Sequence, residues 1–203
     1  MDISLFFTIA FSVIFVSNFV LAKFLGLCPF IGVTQKTDSA IGMGFAVTFV
    51  MFMASLATSA LYYLVLVPND LAILKTPMFI LVIAALVQLV ELFMRARVPV
   101  LYQALGIYLP LITTNCAVMG VALLNTSDAP ARFAGLSVSG HLVAAAWQGI
   151  CGGLGFMLAM LLMSAVRERI AMLDVPAPLR GMPIAFICTG LMAMAFLGFV
   201  GMV

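Results

Sequence analysis

Long apolar runs separated by short polar breaks are the governing pattern of the chain. Residues 3 to 22 are apolar apart from Ser, Thr and Asn interruptions, and roughly 20 such residues cross the hydrocarbon core of a bilayer as a helix. No basic region precedes this run and no small-residue cleavage site follows it, so a retained helix is expected rather than a signal peptide. It runs into Gly26 and Cys28-Pro29, where proline removes a backbone donor and restricts its neighbour. After the polar loop Gln35-Lys36-Thr37-Asp38, a second span is expected over about 40–67, long enough to tilt. A third over about 78–94 holds Gln88 and Glu91 ahead of Arg95 and Arg97. The fourth, about 100–124, contains Gly106, Pro110 and Thr113-Thr114-Asn115 around Cys116. The fifth, about 133–166, carries Gly149, Gly152, Gly153 and Gly155, with Arg167-Glu168-Arg169 closing it. A proline-rich loop, Asp174 to Arg180, leads to the sixth, about 184–202.

The pattern predicts an all-α integral membrane protein of six transmembrane helices, with helices 1 and 4 interrupted near the cysteines. Composition sharpens this: 66% of the residues are hydrophobic and 8% charged, whereas soluble domains carry about a quarter charged. So little polar surface leaves room for one transmembrane domain, 1–203, and no soluble module. A net charge of +2 without a basic cluster gives no footing for nucleic acid. Lys36, Arg95, Arg97, Arg167, Arg169 and Arg180 fall on one side of the six-helix pattern, against Lys75 and Arg132 on the other. Basic loops face the cytoplasm, so both termini are expected outside.

Three helices separate the first span from the fourth, which makes about 1–98 and 99–203 inverted copies of one another. Each copy carries one Cys-x-x-x-Gly-Val, at Cys28 and at Cys116. Inverted repeats with broken helices build sites near the membrane midplane. Continuous helices rising about 1.5 Å per residue would leave these cysteines near opposite faces, so a shared metal centre requires both helices to be interrupted. Non-helical backbone is tolerated at that depth where it is buried or lines a cavity. Iron–sulfur ligation normally takes four thiolates. Cys151 and Cys188 are in the chain but do not repeat the pattern, so a partner giving two more cysteines is the economical arrangement. Incidental cysteines on proline-kinked transport helices are the alternative.

The blocks Asn18 to Leu21, Lys23 to Phe30, Leu109 to Val118 and Gly120 to Asn125, with Arg167-Glu168-Arg169 and Asp174 to Pro178, resemble the A-type membrane protein of the bacterial Rnf electron-transport complex. The related proteins of the sodium-pumping NADH:quinone reductase are similar too, though Cys28-Pro29-Phe30 and Thr114 before Asn115 look more like Rnf. The resemblance covers essentially the whole chain. It implies a multi-pass protein of the bacterial inner membrane, with a [2Fe–2S] cluster held by Cys28, Cys116 and two cysteines of a paralogous E-like partner. It also implies neighbours of the B, C, D and G types. The implied activity is electron transfer between ferredoxin and NAD coupled to Na+ or H+ movement, which makes the chain part of a translocase. Cys151 and Cys188 match no ligand position and are expected to be packing residues.

Other polar residues have plainer readings. Glu91 has Arg95 four residues on, the spacing of a helical ion pair; an ion-path role for Glu91 and Gln88 is the alternative. Lys23 either favours thiolate near Cys28 or snorkels to headgroups. His141 lacks a second histidine for a haem and is expected to be hydrogen-bonded. The glycines of the fifth span are expected to permit close helix contact. A small secondary transporter or a structural assembly protein, neither with a redox centre, is the competing function.

Overall fold

Backbone polar groups cannot find water in lipid, and a helix satisfies them within the segment. The computed structural model describes residues 3–69, 72–97, 111–112, 114–127 and 138–199; among these every regular element is helical and none is a strand. The expectations for Gly106, Pro110, Thr113, Arg132 and the last few residues lie outside the described residues. Helix α1 is Ile3–Phe11 and continues as a π-helical turn, Ser12–Val16. Helix α2 is the short Leu27–Val33. Helix α3, Thr37–Leu61, is prolonged by a second π turn, Tyr62–Leu66. A 3-10 turn at Ala72–Leu74 leads into α4, Lys75–Arg97; then follow α5, Cys116–Ser127, and α6, Val138–Ala171. Another 3-10 turn, Ala177–Leu179, precedes α7, Met182–Leu197.

Three of these stretches are long and apolar enough to cross a membrane: Thr37–Leu66, Lys75–Leu92 and Val138–Ala171. They coincide with the second, third and fifth expected spans. Two boundaries differ. The first helix stops at Val16 rather than near residue 22, because Asn18 takes over the backbone hydrogen bonding. Helix α6 continues to Ala171, so Arg167, Glu168 and Arg169 are helical rather than closing residues. Their partners explain it. Arg167 Nη1 donates to Ile31 O of α2 at 2.6 Å and to Thr34 Oγ1 at 3.1 Å. Glu168 accepts from Thr37 N at 3.2 Å and from Thr37 Oγ1, so a carboxylate from α6 caps the first turn of α3, where negative charge is favoured.

The centre of the molecule is the long seam between α3 and α6. A Cβ on Gly153 would fall 2.6 Å from Thr48 Cα, and one on Gly149 would fall 3.0 Å from Met51 O. These two glycines, four apart on one helix face, let the backbones approach as small residues do between membrane helices, as expected. Met43, Val47, Met51, Phe156, Met160 and Met163 fill the seam. Ser55 Oγ donates to Ala145 O and Asn125 Nδ2 donates to Ser55 Oγ, which fastens α5 to both. The outside is apolar as well, with Phe7, Phe45, Leu81, Leu89, Phe186 and Leu191 all exposed. Among the described residues no charged side chain is buried, the arrangement expected of a protein whose solvent is lipid.

Candidate thiol site at two adjoining helix breaks

After Val16 the chain abandons the helix, and a single residue reorganises it. Asn18 is fully buried. Its Nδ2 donates to Ile14 O at 3.0 Å and to Gly155 O at 2.9 Å. Its Oδ1 accepts from Val20 N at 3.0 Å and Leu21 N at 3.4 Å. Both ends of one amide thus satisfy backbone groups that the break would orphan, as burial in an apolar medium demands. Leu25 N then reaches back to Phe19 O at 2.8 Å. Phe24 at φ +55° and Gly26 at φ +81° turn the chain into α2; such backbone is routine for glycine and costly for phenylalanine. Sequence reasoning attached no role to Asn18, although a lone amide in an apolar run upstream of Gly26 and Pro29 was visible.

The second break uses the same residue type. Asn115 is buried, and its Oδ1 accepts from Ala117 N at 3.0 Å, the N-cap geometry that opens α5. Its Nδ2 is buried without a hydrogen-bond partner among the described residues. The two breaks meet. A Cβ on Gly26 would lie 2.8 Å from Asn115 Oδ1 and 2.8 Å from a Phe156 ring carbon. The backbone entering α2 therefore rests on the residue that caps α5, and the two short helices begin side by side.

Cys28 stands in the first turn of α2 and Cys116 opens α5; both are exposed thiols. Cys116 also borders a cavity of about 520 Å³ with Leu25, Ile83, Ala84 and Met119. Cys151 is buried within α6, and Cys188 is half-buried on α7. Among the described residues no three His, Cys, Asp or Glu side chains come together. Against the four thiolates that a cluster takes, the two breaks offer two, exposed Cys28 and Cys116 at adjoining helix starts, with the buried donor Asn115 Nδ2 next to Cys116 in the chain.

The remaining candidates are dispersed. Lys23 is exposed and borders a narrow space with Ser17 and Gln148. Among the described residues Glu91 forms no ion pair with Arg95, contrary to expectation. It is half-buried at a small apolar space with Phe49, Val50, Val87 and Ile112; spacing permits the pair, but side-chain direction decides it. His141 is held as expected: its Nδ1 lies 3.2 Å from Tyr63 Oη, with the rings stacked at 4.5 Å.

Helices long enough to cross a bilayer, an apolar exterior and two chain breaks packed together define an all-helical membrane protein. Comparison with known proteins narrows the class. Residues 6–203 match the family model described as Rnf-Nqr subunit, membrane protein. The chain is 52% identical over 190 residues to the A-type component of the ion-translocating oxidoreductase complex of Serratia proteamaculans, covering 94% of this chain and 93% of the relative. It is 51% identical over 194 residues to the A-type component of the Na(+)-translocating ferredoxin:NAD(+) oxidoreductase complex of Acetobacterium woodii, covering 96% of each. The A-type component of the ion-translocating oxidoreductase complex of Syntrophotalea carbinolica is 54% identical over 190 residues, covering 94% of this chain and 93% of its own. The chain belongs to the Rnf-Nqr membrane protein family, and the resemblance read from its sequence is borne out.

Proposed function

We propose that this chain is the electron-carrying A-type membrane component of an ion-translocating ferredoxin:NAD oxidoreductase complex in the bacterial inner membrane. In this reading Cys28 and Cys116 supply two ligands of a [2Fe–2S] cluster and a paralogous E-like partner supplies the other two. Electron passage is coupled to movement of Na+ or H+, with B-, C-, D- and G-like proteins completing the complex. The chain forms one transmembrane domain, 1–203, of six spans in two inverted halves, about 1–98 and 99–203, with both termini on the outer side. Relatives named as the A-type component of such complexes, one of them Na(+)-translocating, support the assignment of activity.

The observation that carries the cluster is the contact of Gly26 with Asn115, which sets the two cysteine-bearing helices at a common start while leaving both thiols exposed. Such a cluster would accept and release single electrons. The protein's share is to hold the sulfurs and to keep their outer side open for a partner.

The test is the iron content and the visible and EPR spectra of the purified complex. Cys28→Ser and Cys116→Ser should each abolish the signal of this centre, while Cys151→Ser and Cys188→Ser leave it intact. Loss of the signal in Cys151→Ser alone would overturn the two-chain ligand set. Full iron and spectra in Cys28→Ser would remove the centre from this site.

A further inference from the structure

Away from the thiols, the end of α6, the loop after it and the start of α7 enclose a second cavity of about 310 Å³. Its wall is apolar, from Ile170, Leu173, Val175 and Ile184, and two guanidinium groups, Arg167 and Arg180, border it. The two arginines differ in their state. Arg167 is anchored through Nη1 on Ile31 O and Thr34 Oγ1; a guanidinium has five N–H donors, so the remaining three are unclaimed by any described residue. Arg180 is exposed and has neither a hydrogen bond nor an ion pair with a described residue. The acidic groups nearby do not neutralise them. Glu168 is engaged at Thr37, and Asp174, on the exposed loop, is not part of the cavity wall.

We propose that this cavity binds an anionic phospholipid, its phosphate between Arg167 and Arg180 and an acyl chain against the apolar wall. The placement fits a headgroup: the apolar run of α6 gives way to Arg167-Glu168-Arg169 at this level. In the six-span reading proposed above, on which this point rests, it lies on the face where basic residues outnumber those opposite. Basic pockets between membrane helices on that side take anionic headgroups, and a fork of N–H donors suits phosphate oxygens. A free anion would have no use for the apolar wall. A zwitterionic lipid would leave the pair of cations uncompensated.

The inference is independent of the cluster and is tested on the purified complex. After delipidation, phosphatidylglycerol or phosphatidylcholine with the same acyl chains is added, and retained lipid is counted by native mass spectrometry. Phosphatidylglycerol should be retained in preference, and Arg180→Ala, which spares the Arg167 anchor, should weaken its retention about fivefold. Arg180→Lys should restore part of it, and millimolar inorganic phosphate should not displace it. Equal retention of the two lipids would overturn the proposal, and so would displacement by phosphate. Unchanged retention in Arg180→Ala, the result expected if a neighbouring protein of the complex fills the cavity, would overturn it as well.

Discussion

Before Cys28 the chain leaves the helix at Val16 and re-enters only at Leu27, whereas before Cys116 Ile112 is still helical and the next helix opens at Cys116 itself. The long break is closed inward. Asn18 spends both ends of its amide on four backbone groups, one of them on α6. Across the short break Asn115 N donates to Ile112 O at 3.3 Å and Asn115 Oδ1 caps α5, while its Nδ2 has no partner among the described residues. The same residue type is thus structural in one place and half-committed in the other. What a break costs is settled by how many of its freed polar groups find partners inside the protein.

That contrast can be broken in order of size. Asn18→Leu orphans several buried backbone groups at about 1–3 kcal/mol each. It should be the most damaging change, lowering stability by on the order of 4 kcal/mol. A melting temperature of the purified complex close to wild type would show that Asn18 does not hold the break.

Gly26→Ala comes next. Its backbone lies at φ +81° and its Cβ would strike Asn115 and Phe156, so a loss of about 2 kcal/mol is expected. Gly32→Ala is the control, with its nearest neighbour 3.9 Å away, and should stay within about 0.5 kcal/mol of wild type. Equal effects from the two glycine changes would remove the Gly26 contact as the joint between the breaks.

Of the changes at the breaks themselves, Asn115→Ala should cost least, about 1 kcal/mol for a lost N-cap, and Asn115→Ser, which keeps a capping oxygen, should recover most of that. An Asn115→Ala penalty as large as that of Asn18→Leu would erase the distinction between the two breaks.

The expectations that succeeded and those that failed differ in the range of the interaction they needed. The long spans in α3, α4 and α6 were legible because length and mean hydropathy are local properties. The early end of the first helix was not, since Asn18 acts through Gly155, which lies 137 residues away. The extension of α6 past residue 166 depends on Ile31, Thr34 and Thr37, again remote in sequence. Glu91 and Arg95 have the right spacing for a pair, yet packing turns Glu91 toward the space beside Phe49 and Val50. The two cysteines stood out by their repeated context, but that their helices start together rests on a contact between Gly26 and Asn115.

By itself, then, the sequence determined the solvent of this protein, its helical class and its family, because apolar content, run length and motif are written along the chain. Tertiary structure alone decided where the helices stop and which breaks meet. It also decided which polar groups are left over, because burial and hydrogen-bond satisfaction are properties of residues brought together from distant positions.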